Sequence, residues 1–141
     1  MKLTWREAYN SDLNLLAEWN HQLIRDEGHR NPMTVEELAE RMKEWLKGEY
    51  RAVVFSEADP VAYALFKTEK KSIYLRQLFM RRDRRSAGIG RETISILRGQ
   101  IWSPEVRLTV DVLCANPRAI AFYRAVGFHD YCLAMELGPQ I

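Results

Sequence analysis

Apolar residues along this chain recur first at three- and four-residue steps, then at every second position, and the two periods separate helices from strands. In "SDLNLLAEWNHQLIR" (11–25), Leu16, Trp19 and Leu23 share one side of a 3.6-residue period, which predicts an amphipathic helix. A second helix is predicted over "PMTVEELAERMKEWLKG" (32–48). Thr34 and Glu37 form a capping box, Leu38, Met42 and Trp45 share a face, and Gly48 marks the stop. The short "KLTWREA" (2–8) that precedes both helices reads as a strand.

The middle of the chain changes period. "YRAVVF" (50–55), "VAYALFK" (61–67) and "SIYLRQLFM" (72–80), separated by the turns "SEADP" and "KTEKK", predict three consecutive strands in an antiparallel meander. Gly90, Ile94, Leu97 and Ile101 then return to helical spacing, so a helix should begin near Gly88 and bury the face that carries Gly90. A strand follows in "EVRLTVDVL" (105–113), where Val106, Leu108, Val110 and Val112 alternate with polar neighbours. "NPRAIAFYRAVGF" (116–128) supplies Asn116 as N-cap, Pro117 at the first helical position and Gly127 just past the end, and "FHDYCLAMEL" (128–137) reads as a last strand. The order is strand, two helices, three strands, helix, strand, helix, strand. It predicts an α/β (α+β) fold: a mixed, mostly antiparallel sheet with helices on its faces, and a parallel crossover from residues 72–80 to 105–113.

Composition narrows the setting. At 141 residues, 47% of them hydrophobic, the chain is expected to be one domain spanning residues 1–141. The formal net charge of +2 argues against a bulk polyanion binder. Cys114 and Cys132 make no disulfide framework or metal-binding spacing, and His21, His29 and His129 share no ligand spacing, so no metal is expected. Cysteine usage, the lack of an apolar leader and the lack of any run near the roughly 20 apolar residues a bilayer requires point to a soluble, cytoplasmic protein without membrane association.

Local chemistry concentrates in "RRDRRSAGIG" (81–90). A strand, a loop with small side chains and a helix start are the parts of an anion site, because the first N–H groups of a helix have no internal acceptor and the macrodipole favours negative charge there. Ser86, Ala87, Gly88 and Gly90 let a ligand approach the backbone, and Arg81, Arg82, Arg84 and Arg85 offer forked donors to phosphate oxygens. Such a loop suits a diphosphate on a small molecule or a nucleic-acid backbone. A nucleic-acid-binding module gripping phosphates with the Arg81–Arg85 cluster is thus the competing class of function, disfavoured by the near-zero net charge.

"RSAGIG" is the R-x-x-G-x-G signature of the GNAT acetyltransferase superfamily, and Asn116, Ala119, Phe122, Tyr123, Gly127 and Phe128 resemble that family's second signature, N-x-x-A-x-x-F-Y-x-x-x-G-F. The resemblance extends over nearly the whole order of elements and is least specific over residues 1–50. It implies an N-acetyltransferase that binds acetyl-CoA. Leu78, Phe79 and Met80 would pair with the pantetheine arm, and Arg85, Ser86, Ala87, Gly88, Ile89, Gly90 and Arg91 would surround the diphosphate. Asn116 would cap its helix or hold the pantetheine, and Tyr123 would be the general acid for the departing thiolate.

A phenol with a pKa near 10 is protonated at neutral pH, which that role requires. An alkylammonium is not a nucleophile until it loses a proton, and "IRDEGHRNPM" (24–33), between the two N-terminal helices, offers Glu27 and His29 as base or amine-recognition residues. Cys114 reads as a small buried thiol, since no neighbouring base activates it. The expected acceptor is a small-molecule amine. The resemblance also allows a homodimer built on the last strand, and a non-catalytic acyl-CoA sensor on the same fold.

Overall fold

The computed structural model describes residues 2–140. The chain forms β1 (Thr4–Glu7), α1 (Leu13–Glu27), α2 (Val35–Lys47), β2 (Tyr50–Ser56), β3 (Pro60–Thr68), β4 (Ser72–Met80), α3 (Ile89–Ile96), β5 (Arg107–Val110) and α4 (Pro117–Ala125). The strands lie in sequence order in one sheet; β1 to β4 are antiparallel, and β5 runs parallel to β4.

The sheet is covered on both faces, as the nearly continuous apolar runs of β2 and β3 require. Leu16, Trp19, Leu23 and Met42 from α1 and α2 pack on Ala52, Val54, Tyr63, Leu65 and Phe79. Ile89, Ile94 and Leu97 pack on Val53, Phe55, Ala64, Phe66 and Leu75 on the opposite face, where Phe122 and Tyr123 of α4 join them. The caps read from sequence form as expected. The N–H of Glu37 donates to Thr34 Oγ1 at 3.2 Å and the N–H of Thr34 to Glu37 Oε1 at 2.9 Å, while the N–H of Ala119 donates to Asn116 Oδ1 at 3.2 Å.

Two features of β4 shape the site. Leu65 of β3 faces Gln77, but the next residue, Phe66, faces Leu75, so Arg76 is the extra residue of a β-bulge. The bulge turns Arg76 and Gln77 to the same face: Arg76 lies over Trp45 and Tyr50, and Gln77 hydrogen-bonds Asn20 and Tyr63. Pairing with β5 extends only from Ser72 to Leu75, so β4 beyond that point keeps β3 on one edge and leaves the other open.

Three expectations are corrected. Residues 128–137 form no strand: β5 is only four residues long, and the alternating apolar side chains of Tyr131, Leu133, Met135 and Leu137 stay exposed instead of pairing along it. Cys114 is exposed, because the turn that leads into the N-cap of α4 lies at the surface. Asp26 and Glu27, read as part of the interhelical loop, belong to the last turn of α1, which ends at Gly28 with φ 74°.

Candidate active site

A cavity of about 540 Å³ opens where β4 leaves β5. Its walls include Leu78, Phe79 and Met80 of β4, the loop residues Arg85, Ser86 and Gly88, Gly90 and Arg91 of α3, and Asn116 and Tyr123. These expected cofactor residues, distant in sequence, thus share one cleft. Ile89 is nearly fully buried and anchors α3 in the core, and Ala87 lies exposed in the loop.

The loop backbone is built for acceptor atoms. Ser86 (φ 66°) and Gly88 (φ 81°) both adopt the left-handed region, which is uncommon for serine and sits at the turn into α3. Among the described residues, the N–H groups of Ser86, Ala87, Gly88 and Ile89 meet no acceptor. A run of such unpaired donors at a helix start forms an anion-binding concavity. The two glycines serve different ends. A Cβ at Gly88 would meet nothing within 4 Å, so that residue supplies conformation and open space. A Cβ at Gly90 would come within 2.9 Å of Phe122 Cε1 and 3.1 Å of Met80 Cε, so that residue lets α3 close onto α4 and β4.

The arginine cluster is largely neutralised from within. Arg81 pairs with Asp83 at 2.6 Å, Arg84 with Glu57 at 2.7 Å, and Arg82 and Arg85 both with Asp26, at 2.9 and 2.8 Å. Burial tends to raise the Asp26 carboxyl, but hydrogen bonds from Arg82 and Arg85 outweigh it and hold the pKa below the ordinary value. Arg85 also donates Nε to the Met80 carbonyl at 2.9 Å, tying the loop to the end of β4. Arg118, which sequence reasoning passed over, lines the cavity without an ion pair among the described residues, as does Arg91, whose Nη2 reaches only the Ala125 carbonyl at 3.4 Å. Their free charge was hidden in the sequence, because the partners that neutralise the others come from α1 and the β2–β3 turn.

The general acid and base expectations converge. Tyr123 faces the first cavity. Burial, and secondly the charge of Glu27, push its phenol well above the ordinary tyrosine value, so it holds its proton at any physiological pH. Glu27 lines this cavity and also a second one, of about 1030 Å³, bounded by α1, α2, β4 and residues 110–115 and 132–136. Burial first, and neighbouring Asp26 second, push the Glu27 carboxyl up to about 7. His29 lines the second cavity with Nε2 3.5 Å from Glu27 Oε1. The two cavities meet at Leu23 and Glu27.

Among the described residues, the mixed sheet parts at the parallel β4–β5 pair, and a donor-rich loop lies at the parting. Residues 13–128 match the model of the Acetyltransferase (GNAT) family, and this chain belongs to that family. Solved structures share the fold. A mutant of the BH1408 protein from Bacillus halodurans superposes with TM-score 0.81 at 22% identity, over 97% of this chain and 99% of that one. An acetyltransferase from Thermus thermophilus gives TM-score 0.75 at 25% identity, over 92% and 88%. The aminoglycoside N-acetyltransferase AAC(6')-Iy in complex with CoA gives 0.76 at 11% identity, over 99% and 96%. No curated protein matches the sequence. No helix among the described residues is long and apolar enough to cross a membrane.

Proposed function

We propose that this acetyltransferase moves the acetyl group of acetyl-CoA to a primary amine by direct attack, with Glu27 as general base and Tyr123 as general acid. The observation that carries the reading is the position of Glu27 at the junction of two cavities, one of which also holds Tyr123. When bound, the cosubstrate supplies an acyl group activated as a thioester. The chain's own residues supply binding, orientation and proton transfer.

The open edge of β4 from Gln77 to Met80 offers N–H and C=O groups to the two amides of a pantetheine arm, and the unpaired loop amides with Arg91 and Arg118 suit its diphosphate. A carboxyl group titrating at about 7 is basic enough to take a proton from an amine and ionised in a useful fraction at neutral pH. As the amine nitrogen bonds to the acyl carbon, Glu27 removes the nitrogen's proton. As the carbon–sulfur bond breaks and its electron pair goes to sulfur, the Tyr123 hydroxyl delivers a proton there. His29, with Nε2 3.5 Å from Glu27 Oε1, would help to hold the orientation of that carboxyl group.

Calorimetric titration with acetyl-CoA tests the cofactor half of this reading. Wild type should bind saturably, and Gly88→Trp, which fills the open space at the loop, should lose at least about tenfold in affinity. A side chain in the left-handed region costs about 1–2 kcal/mol, so a thermal melt should accompany the titration. Equal binding by the folded variant would remove the loop from the site.

A further inference from the structure

The second cavity has a wall of hydrogen-bond donors that lack acceptors. Arg41 Nε and Asn20 Nδ2 are both buried without a partner among the described residues, and both residues line this cavity. Asn20 is fully buried, and its Oδ1 is already occupied by the Gln77 side-chain amide at 3.1 Å. Native proteins pair nearly all buried polar atoms, so two orphaned donors on one cavity wall call for an acceptor from outside the chain.

Charge points the same way. The Arg41 guanidinium carbon lies 4.3 Å and that of Arg76 4.6 Å from the centroid of the Trp45 ring, which brings two cations to one aromatic side chain. Neither makes an ion pair among the described residues, whereas Arg51, Arg84 and Arg124 each hold a carboxylate. Among the described residues, the side-chain hydrogen bond of Arg76 goes to the Tyr50 hydroxyl, at 3.4 Å. Burial first, and the charge of Arg76 second, lower the Arg41 pKa from its ordinary value, and the opposing influences come from Tyr63 and Tyr50 and not from a carboxylate. An aromatic face positions guanidinium planes but does not neutralise their charge. Arg76 reaches this place because the bulge in β4 turns it toward α2.

We propose that Arg41 and Arg76, with the Asn20 amide, form an anion subsite for the acceptor, so that the amine substrate carries a carboxylate or phosphoryl group. The subsite and Glu27 line the same cavity, which orders the substrate: its anionic end lies on the α2 and β4 wall and its amine toward Glu27 and the thioester. This rests on the amine-acetyltransferase reading above and fixes its substrate class.

The test compares matched acceptors by acetyl-CoA-dependent thiol release: 4-aminobutyrate beside 4-aminobutyramide, α-amino acids beside their amides, and phosphoethanolamine beside ethanolamine. In at least one series the anionic member should have a kcat/KM roughly tenfold or more above its neutral counterpart. The carboxylate and phosphate series show which anion the subsite takes. Arg41→Met and, on the more exposed side, Arg76→Gln should bring that ratio close to one while acetyl-CoA affinity stays as in wild type. Neutral or cationic amines preferred in every series, or a ratio unchanged in both variants, would overturn the subsite and leave the transferase reading standing. No thiol release with any amine, together with no acetyl-CoA binding, would overturn both.

Discussion

Replacing Glu27 by Gln is expected to lower kcat by roughly 100-fold or more, the usual contribution of a positioned general base, while making the protein more stable at alkaline pH. In wild type, kcat/KM should rise with pH through an apparent midpoint near 7, where the buried Glu27 carboxyl ionises, and this limb should vanish in the variant. The stability effect has the opposite sign because the folded-state pKa is raised above the ordinary value of 4.5. Between about 4.5 and 7 the folded state holds a proton that the unfolded state has released, so stability falls as pH rises through that window. Above it, the ionised carboxylate in its partly buried position is a standing penalty of about 1–3 kcal/mol, discounted for the part of the side chain that water reaches. Denaturant titrations at pH 5 and pH 8 should show Glu27→Gln gaining on wild type only at the higher pH. A variant that loses activity without that pH-dependent gain would place Glu27 outside the buried environment that makes it a base.

Tyr123→Phe removes one hydroxyl and should lower kcat by roughly 100-fold with little change in the affinity for acetyl-CoA. The ring would keep its edge-on contacts with Phe122 and Phe128, at 5.1 and 5.4 Å between centroids, so the variant should fold normally. The distinguishing readout is the leaving group. If the hydroxyl delivers a proton to the departing sulfur, a thioester whose thiol is more acidic should recover much of the lost rate, since its thiolate leaves without help. Equal losses with both thioesters would assign Tyr123 to packing.

What the sequence revealed and what it concealed divide along the range of the interactions. The capping box of Thr34 and Glu37, the N-cap at Asn116 and the helix start at Gly88 are local, and local signals survive translation into structure unchanged. The loop "RSAGIG" and the Phe122–Tyr123 pair were legible for the same reason, each being a short motif on one turn.

The charge state of the site was not legible. Four arginines in one loop read as an open phosphate grip, yet Asp26 in α1, Glu57 before β3 and Asp83 engage all four. The bulge at Arg76 was equally hidden: "SIYLRQLFM" alternates well enough to read as an unbroken strand, and only the pairing with β3 shows that one residue is extra. The same limit explains the misread C-terminus. "YCLAMEL" has the two-residue alternation of a strand, but a strand requires an edge to pair with, and β5 closes its pairing with β4 after four residues. Trp45, read as one of three apolar residues on the face of α2, carries Arg41 and Arg76 as well as the core, and no period in the sequence marks that second duty.

The most direct test of the account is thiol release from acetyl-CoA, followed in wild type with and without a panel of primary amines. The account requires release that depends on an amine, yields the N-acetylated product in equal amount and falls by roughly 100-fold in Glu27→Gln. Release at the same rate without any amine, or acetyl transferred to the protein itself before an amine is added, would contradict direct attack on a thioester held between Glu27 and Tyr123.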